Sequence, residues 1–202
     1  MGTSRLPTCA IVVVAVAMGS KPAEAHLNAT GMGPIYDGLT HFLMSPEDLV
    51  PVLALALLAG LRGATYGRRA LFTLPATWLV GCLLGLTVSA TNEGAVLSSV
   101  WFLLLGGLVA ADARLSLRVT TARAALLGLV HGYLNGSGMG QSGSAVLAAH
   151  GLVSAVFVLI ALGAGFVARL RAHWARIAVR VAGSWIAASG LLMLGWALRA
   201  RQ

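Results

Sequence analysis

Apolar residues occur in long blocks along this chain, and short basic or glycine-rich turns separate the blocks. A helix needs about 20 residues to cross a bilayer, and most of the blocks approach this length. No polar segment between them is long enough to form a soluble module. We therefore predict an all-α fold, a polytopic membrane helix bundle with six transmembrane helices. The predicted spans cover residues 46–61, 70–89, 95–111, 122–134, 144–168 and 177–198.

The first 25 residues form a different kind of apolar segment. Arg5 precedes a short apolar run, and Ala-Glu-Ala follows that run at residues 23–25. A basic start, a short apolar core and an Ala-x-Ala end are typical of a cleavable secretory signal peptide. We expect residues 1–25 to be the signal peptide and residues 26–202 to be the six-span domain. An uncleaved membrane anchor is the alternative.

Composition and charge placement set the compartment and the orientation. Only 10% of residues are charged, against about 25% in soluble domains, which excludes a soluble enzyme and a nucleic-acid-binding protein. Ten arginines follow spans 1, 3 and 5, and two follow span 6. Because basic loops stay in the cytoplasm, we expect a multi-pass protein of the bacterial inner membrane with both mature termini in the periplasm. The ten arginines are Arg62, Arg68, Arg69, Arg114, Arg118, Arg123, Arg169, Arg171, Arg176 and Arg180.

Spans 1 and 4 are short, and polar or helix-breaking residues occur at the outer end of each. Ser45-Pro46 precedes span 1, and Asn135-Gly136-Ser137-Gly138 follows span 4. The two spans hold the same place in two halves of three spans each. Paired interrupted helices of this kind indicate the binding site of a transporter. A 3+3 inverted repeat is therefore a hypothesis.

The first group of candidate metal ligands lies at the start of span 1. Carboxylate oxygens and imidazole nitrogens suit a divalent cation. Acids in a first turn after Ser-Pro are also typical of an ordinary capped helix start, which is the alternative. If this stretch is helical, residues 37 and 41 share a face. The group consists of Asp37, His41, Glu47 and Asp48, together with His26 at the expected mature N-terminus.

The second group lies within the membrane region. His131 and Asn135 are four residues apart in span 4, and His150 lies in span 5 at a comparable expected depth. Ionisable residues inside a membrane are candidates for a functional site, although a lone histidine can also bond to a neighbouring helix. The five tryptophans, Trp78 and Trp101 among them, are interpreted as packing or interfacial residues.

At these positions the chain resembles the HupE/UreJ family of membrane proteins, which are associated with hydrogenase and urease systems and regarded as nickel permeases. The family pattern at span 1 is His, five residues, then Asp-His-Leu-Leu, and here His41 precedes Glu47-Asp48-Leu49-Val50. At span 4 the pattern His-Gly-x-x-His-Gly becomes His131-Gly132-Tyr133-Leu134-Asn135-Gly136. Two family histidines are thus replaced by Asp48 and Asn135, while His150 aligns more loosely with a later histidine.

The resemblance implies a secondary transporter for a divalent transition-metal cation, with nickel or cobalt as the expected ion. The first group would gather the ion outside, and the second group would pass it across the midplane. We expect no catalytic activity and no resident cofactor. The implied partners are the lipid bilayer, the metal ion and metalloenzyme maturation machinery, with no nucleic acid. Oxygen ligands also suit other divalent ions, so the metal stays open.

Two other functions are compatible with the sequence. The first is an accessory or sensor protein that binds metal without moving it. The second is a rhomboid-like intramembrane serine protease, with Ser142 in Gly140-Gln141-Ser142-Gly143 as nucleophile and His150 as base. The short spacing between Ser142 and His150 argues against the protease, because in rhomboids another span separates the two residues.

Overall fold

The computed structural model describes residues 30–88, 94–139 and 143–199. In these ranges the chain forms seven α-helices and no strand, which confirms the predicted all-α class. The predicted signal peptide, His26 and Ser142 lie outside the described residues. The helices are α1 (Pro34–Met44), α2 (Pro46–Arg62), α3 (Ala64–Gly85), α4 (Gly94–Ala110), α5 (Leu117–Met139), α6 (Ala145–Ala168) and α7 (His173–Arg199).

Helices α2 to α7 occur at the six predicted spans, but they are not equally suited to a membrane. Within the described residues, α6 and α7 are long and apolar enough to cross a bilayer. Helices α1 and α2 are long and apolar enough to cross a bilayer only when they are taken together, as a pair bent by 75°. Helix α4 contains an apolar stretch that is shorter, Val96–Ala110. Length and composition therefore support two or three spanning helices, and the count of six is not confirmed.

Helices α3 and α5 extend beyond the predicted spans. The predicted second span began at residue 70, whereas α3 begins directly after Gly63 and includes Arg68 and Arg69. Gly63 has a φ of 102°, so it ends α2 and leaves a single residue before α3. Arginine is a good helix former, so these residues continue the helix instead of forming a loop.

The predicted interruption of span 4 is wrong, because α5 runs through the Asn-Gly-Ser-Gly segment as far as Met139. The interruption of span 1 is real, since Ser45 is extended and separates α1 from α2. Ser45 makes no side-chain capping hydrogen bond, contrary to the expected cap. The inverted-repeat hypothesis depended on a break in both span 1 and span 4. Only the break at span 1 is present.

Close glycine contacts explain why α5 stays helical there. A Cβ on Gly132 would overlap the carbonyl oxygen of Trp78 in α3, and one on Gly136 would overlap that of Cys82. The absence of side chains at such positions lets two helix backbones approach closely. Similar contacts join α1 to α6 through Gly38 and α4 to α7 through Gly183.

Helix α2 lies at the centre of this arrangement. It contacts all the other helices, and most of its apolar residues from Val52 to Leu61 are buried. Its first turn therefore lies next to α1 and α5, which brings the polar residues of three helices together. Its last residue, Arg62, donates a hydrogen bond to Asp112 in the turn between α4 and α5.

Candidate functional site

A buried carboxylate lies between two helices at the start of α2. Asp48 is 4% exposed. One of its oxygens, Oδ1, lies 2.8 Å from Nδ1 of His131, and Oδ2 accepts a hydrogen bond of 2.9 Å from Nδ2 of Asn135. His131 and Asn135 are four residues apart on one face of α5, which lets both reach the same carboxylate. Asp48 thus belongs with the membrane group of candidates instead of the outer group.

Helix α1 adds a second imidazole to this contact. Nε2 of His41 lies 3.1 Å from Oδ1 of Asn135. The amide nitrogen of Asn135 already donates to Asp48 and to the backbone carbonyl of His131. Oδ1 is therefore the acceptor, and Nε2 of His41 carries the hydrogen. We call these four residues, His41, Asp48, His131 and Asn135, the Asp48 network.

The network fixes which imidazole nitrogens stay free. Because Asp48 accepts from Nδ1 of His131, the neutral ring has a lone pair on Nε2. By the same reasoning, Nδ1 of His41 has the lone pair in its neutral ring. Nε2 of His131 is buried and has no hydrogen-bond partner within the described residues. A buried polar atom without a protein partner is costly, so this nitrogen is a position for a bound water, an ion or a ligand.

Two tryptophan rings contact the imidazole of His131. The ring centroids of Trp78 and His131 are 5.6 Å apart, and those of Trp101 and His131 are 6.4 Å apart. Phe42 packs edge-on against Trp78 at 6.1 Å. The indole nitrogens of both tryptophans are also buried without a partner in the described part of the chain. From the sequence, Trp78 and Trp101 were interpreted as packing or interfacial residues, and their contact with His131 was not predicted.

The remaining candidates lie apart from the network. Asp37 and His41 both lie in helix α1, as their predicted shared face required. However, Oδ1 of Asp37 accepts hydrogen bonds from the backbone N–H and the hydroxyl of Thr30, at 2.6 and 2.7 Å. These bonds lower the pKa of Asp37, because they stabilise its ionised form. Glu47 is exposed in the first turn of α2. His150 is exposed on α6, where its Nδ1 donates to the carbonyl of Val146 at 2.7 Å.

The described residues contain no ready-made metal cage. No three side chains of His, Cys, Asp or Glu in these ranges are placed to hold one ion together. What the Asp48 network offers is a pair of oriented imidazoles beside one buried negative charge. Imidazole nitrogens with a free lone pair are common metal ligands, so the network is a candidate site for a cation.

A second charged cluster lies at the opposite end of α2. Arg62 donates to Oδ1 of Asp112, and the guanidinium of Arg176 in α7 lies 3.7 Å from Oδ2. Arg176 also donates to the carbonyl of Leu61 at 3.4 Å. The cluster therefore joins α2, α7 and the turn between α4 and α5 at the end where most arginines occur.

Comparison with known protein families identifies the family of this chain. Searches of curated proteins and of solved structures found no protein that matches this chain. A family model described as HupE / UreJ protein matches residues 13–193. The matched range includes the whole Asp48 network and every described helix apart from the end of α7. The family resemblance stated from the sequence is confirmed, and this chain belongs to the HupE/UreJ family of membrane proteins.

Proposed function

We propose that this protein is a secondary transporter for a divalent transition-metal cation, nickel or cobalt, in the bacterial inner membrane. The observation that supports this proposal is the Asp48 network, in which hydrogen bonds orient two imidazoles and each imidazole keeps one nitrogen lone pair. A metal-binding histidine commonly donates its other N–H to a carboxylate, which orients the ring and makes the free nitrogen more basic. Asp48 and His131 have this relation.

Electrostatics favours a cation at this site. Among the residues that the structure describes, no arginine forms an ion pair with Asp48. An ionised carboxylate in a low-dielectric interior is costly unless a positive charge compensates it. A metal ion bound at Nε2 of His131 would supply that charge while Asp48 still orients the ring.

The route that we propose begins at the outer end of α1. Asp37, Glu47 and His26 attract the ion, and His41 receives it as a member of the network. His131 and Asn135, with His150, then pass it across the midplane. His41 is only half-buried, so it can exchange an ion between water and the buried His131. In the proposed topology, α2 to α7 are six spans, and the mature chain has both termini in the periplasm.

The chain has no Gly-x-x-x-x-Gly-Lys-Ser/Thr motif for nucleotide binding. The energy would come from an ion gradient, from the membrane potential or from a partner ATPase. A potential of 100 mV supplies about 2.3 kcal/mol per charge, and twice that for a divalent cation that enters a negative interior.

The break between α1 and α2 favours transport over an accessory or sensor function. Irregular backbone at membrane depth occurs where it is buried in protein or lines a water-filled cavity. The break at Ser45 lies between His41 and Asp48, two members of the network. A sensor that holds its metal permanently would need a fuller ligand set than these residues offer. The protease alternative has no such support, and its Ser142 is outside the described residues.

The test is uptake of radioactive nickel or cobalt by purified protein in proteoliposomes, with other divalent ions as competitors. His41→Ala and His131→Ala should abolish uptake, because each removes one free imidazole nitrogen. His173→Ala is the matched control, because His173 is exposed at the start of α7. This variant should transport normally. Metal binding without uptake by the unmodified protein would support the accessory function. Normal uptake by both imidazole variants would exclude this mechanism.

A further inference from the structure

A surface cavity of about 400 Å³ lies on one side of α3, near its first residues. We call it the α3 pocket. Its residues follow each other at helical spacing, so they line one side of the helix over about 12 Å. The pocket is lined by Thr65, Arg68, Arg69, Phe72 and Thr73.

The polar end of the α3 pocket carries two uncompensated positive charges. Arg68 and Arg69 are exposed, and neither forms an ion pair within the described residues. Arg62 and Arg176, at the same end of the molecule, differ because Asp112 pairs with both. Guanidinium groups bind phosphate oxygens through paired hydrogen bonds, and threonine hydroxyls can add further ones.

The other end of the α3 pocket holds the exposed ring of Phe72 beside Thr73. Phe72 is 67% exposed and lies one helical turn beyond Arg68. Its ring centroid is 6.4 Å from that of Phe157 in α6, so the two rings form an aromatic wall. The order along the helix is therefore two arginines first and an exposed aromatic wall next, which is the order of headgroup and acyl chain in a lipid.

We propose that the α3 pocket binds an anionic phospholipid of the cytoplasmic leaflet. The phosphate lies between Arg68 and Arg69, and an acyl chain lies on the wall of Phe72 and Phe157. Free phosphate would use the arginines but would gain nothing from the exposed aromatic wall. The inference rests on the membrane location that the proposed function also uses, but it does not require that the protein transports metal.

The test uses the full chain in neutral detergent without added metal. Phosphatidylglycerol, phosphatidylcholine or inorganic phosphate is titrated, and the thermal unfolding midpoint is followed. Phosphatidylglycerol should raise the midpoint at lower concentration than phosphatidylcholine. The double variant R68Q/R69Q should lose about 30-fold in apparent affinity for phosphatidylglycerol, the size expected for two arginines at an anionic membrane surface.

Two controls make the result specific. The double variant R118Q/R171Q removes the same charge from two exposed arginines outside the pocket and should keep the response. Phe72→Ala keeps both arginines and should weaken the response to phosphatidylglycerol. An equal loss in the two double variants would overturn the proposal, because it would indicate general charge attraction. A response to inorganic phosphate as strong as that to phosphatidylglycerol would also overturn it.

Discussion

The two positions where this chain lacks a histidine of the family motifs are in direct contact. By the resemblance drawn from the sequence, Asp48 and Asn135 each stand where the family has a histidine. Nδ2 of Asn135 donates to Oδ2 of Asp48 at 2.9 Å. From the sequence both were interpreted as oxygen ligands in separate groups. In the structure they hold His131 and His41 in fixed orientations. The replacements thus change the supports of the imidazoles and leave the two matching histidines in place.

This arrangement predicts a specific effect of Asp48→Asn. The amide can still accept from Nδ1 of His131, but it removes the negative charge that favours a bound cation. Loss of such a supporting partner costs about 10–100-fold in metal affinity. The concentration dependence of uptake would show this as a raised KM. Glu47→Gln is the comparison variant, because it neutralises the neighbouring exposed acid, which attracts the ion without contacting His131. It should raise the KM less than Asp48→Asn does. Equal effects of the two variants would contradict the separate role of Asp48.

At the scale of elements, close helix pairs carry the site. Helices α3 and α5 approach through Gly81, Gly132 and Gly136, and this approach places Trp78 against His131. In the sequence, the motif at span 4 was interpreted through its histidine, His131. Its first glycine, Gly132, has an equally direct structural role. Without that glycine, the tryptophan and the imidazole could not lie at their observed separation.

Gly132→Ala should therefore destabilise the fold and disturb the site. Its Cβ would overlap the carbonyl oxygen of Trp78, a backbone atom that cannot move without its helix. Such overpacking typically costs about 1–3 kcal/mol. Thermal unfolding in detergent would measure the loss. Gly165→Ala is the control, because a Cβ there meets nothing within 4 Å, and it should be neutral or slightly stabilising. A similar loss in both variants would exclude the close contact as the cause.

At the scale of the whole molecule, charge placement gives a topology that can be tested. The charged cluster of Arg62, Asp112 and Arg176 lies at the arginine-rich end, and so does the α3 pocket. The outer acids Asp37 and Glu47 lie near the starts of α1 and α2. The positive-inside rule assigns the first end to the cytoplasm. Six spans would put the turn after α4 and the turn after α6 on this same side.

Single cysteines at exposed positions can distinguish six spans from two. In intact spheroplasts, a membrane-impermeant maleimide should label Met32→Cys but neither Arg114→Cys nor Arg171→Cys. After permeabilisation all three should react, while the native Cys82 is buried and should react little. If only α6 and α7 crossed the membrane, position 114 would be labelled together with position 32. That pattern would contradict the six-span topology.

The sequence could predict much of the fold because its signals are local. Apolar block length and spacing indicated helices at the right places, and Ser45-Pro46 correctly indicated a break. The prediction was wrong at Asn135-Gly136-Ser137-Gly138, where low helix propensity suggested an end. There the glycines allow backbone contact with α3, and that tertiary packing outweighs local propensity.

The sequence by itself determined the family, the all-helical class and the identity of the candidate residues, since motifs, apolar periodicity and charge are properties of the linear chain. Only the tertiary structure decided which candidates meet. His41 and Asp48 come from helices on either side of a break, and His131 and Asn135 come from a helix more than 80 residues away. It also placed Trp78 and Trp101 beside His131. Contacts between distant helices depend on how closely their backbones pack, and no local pattern encodes that distance.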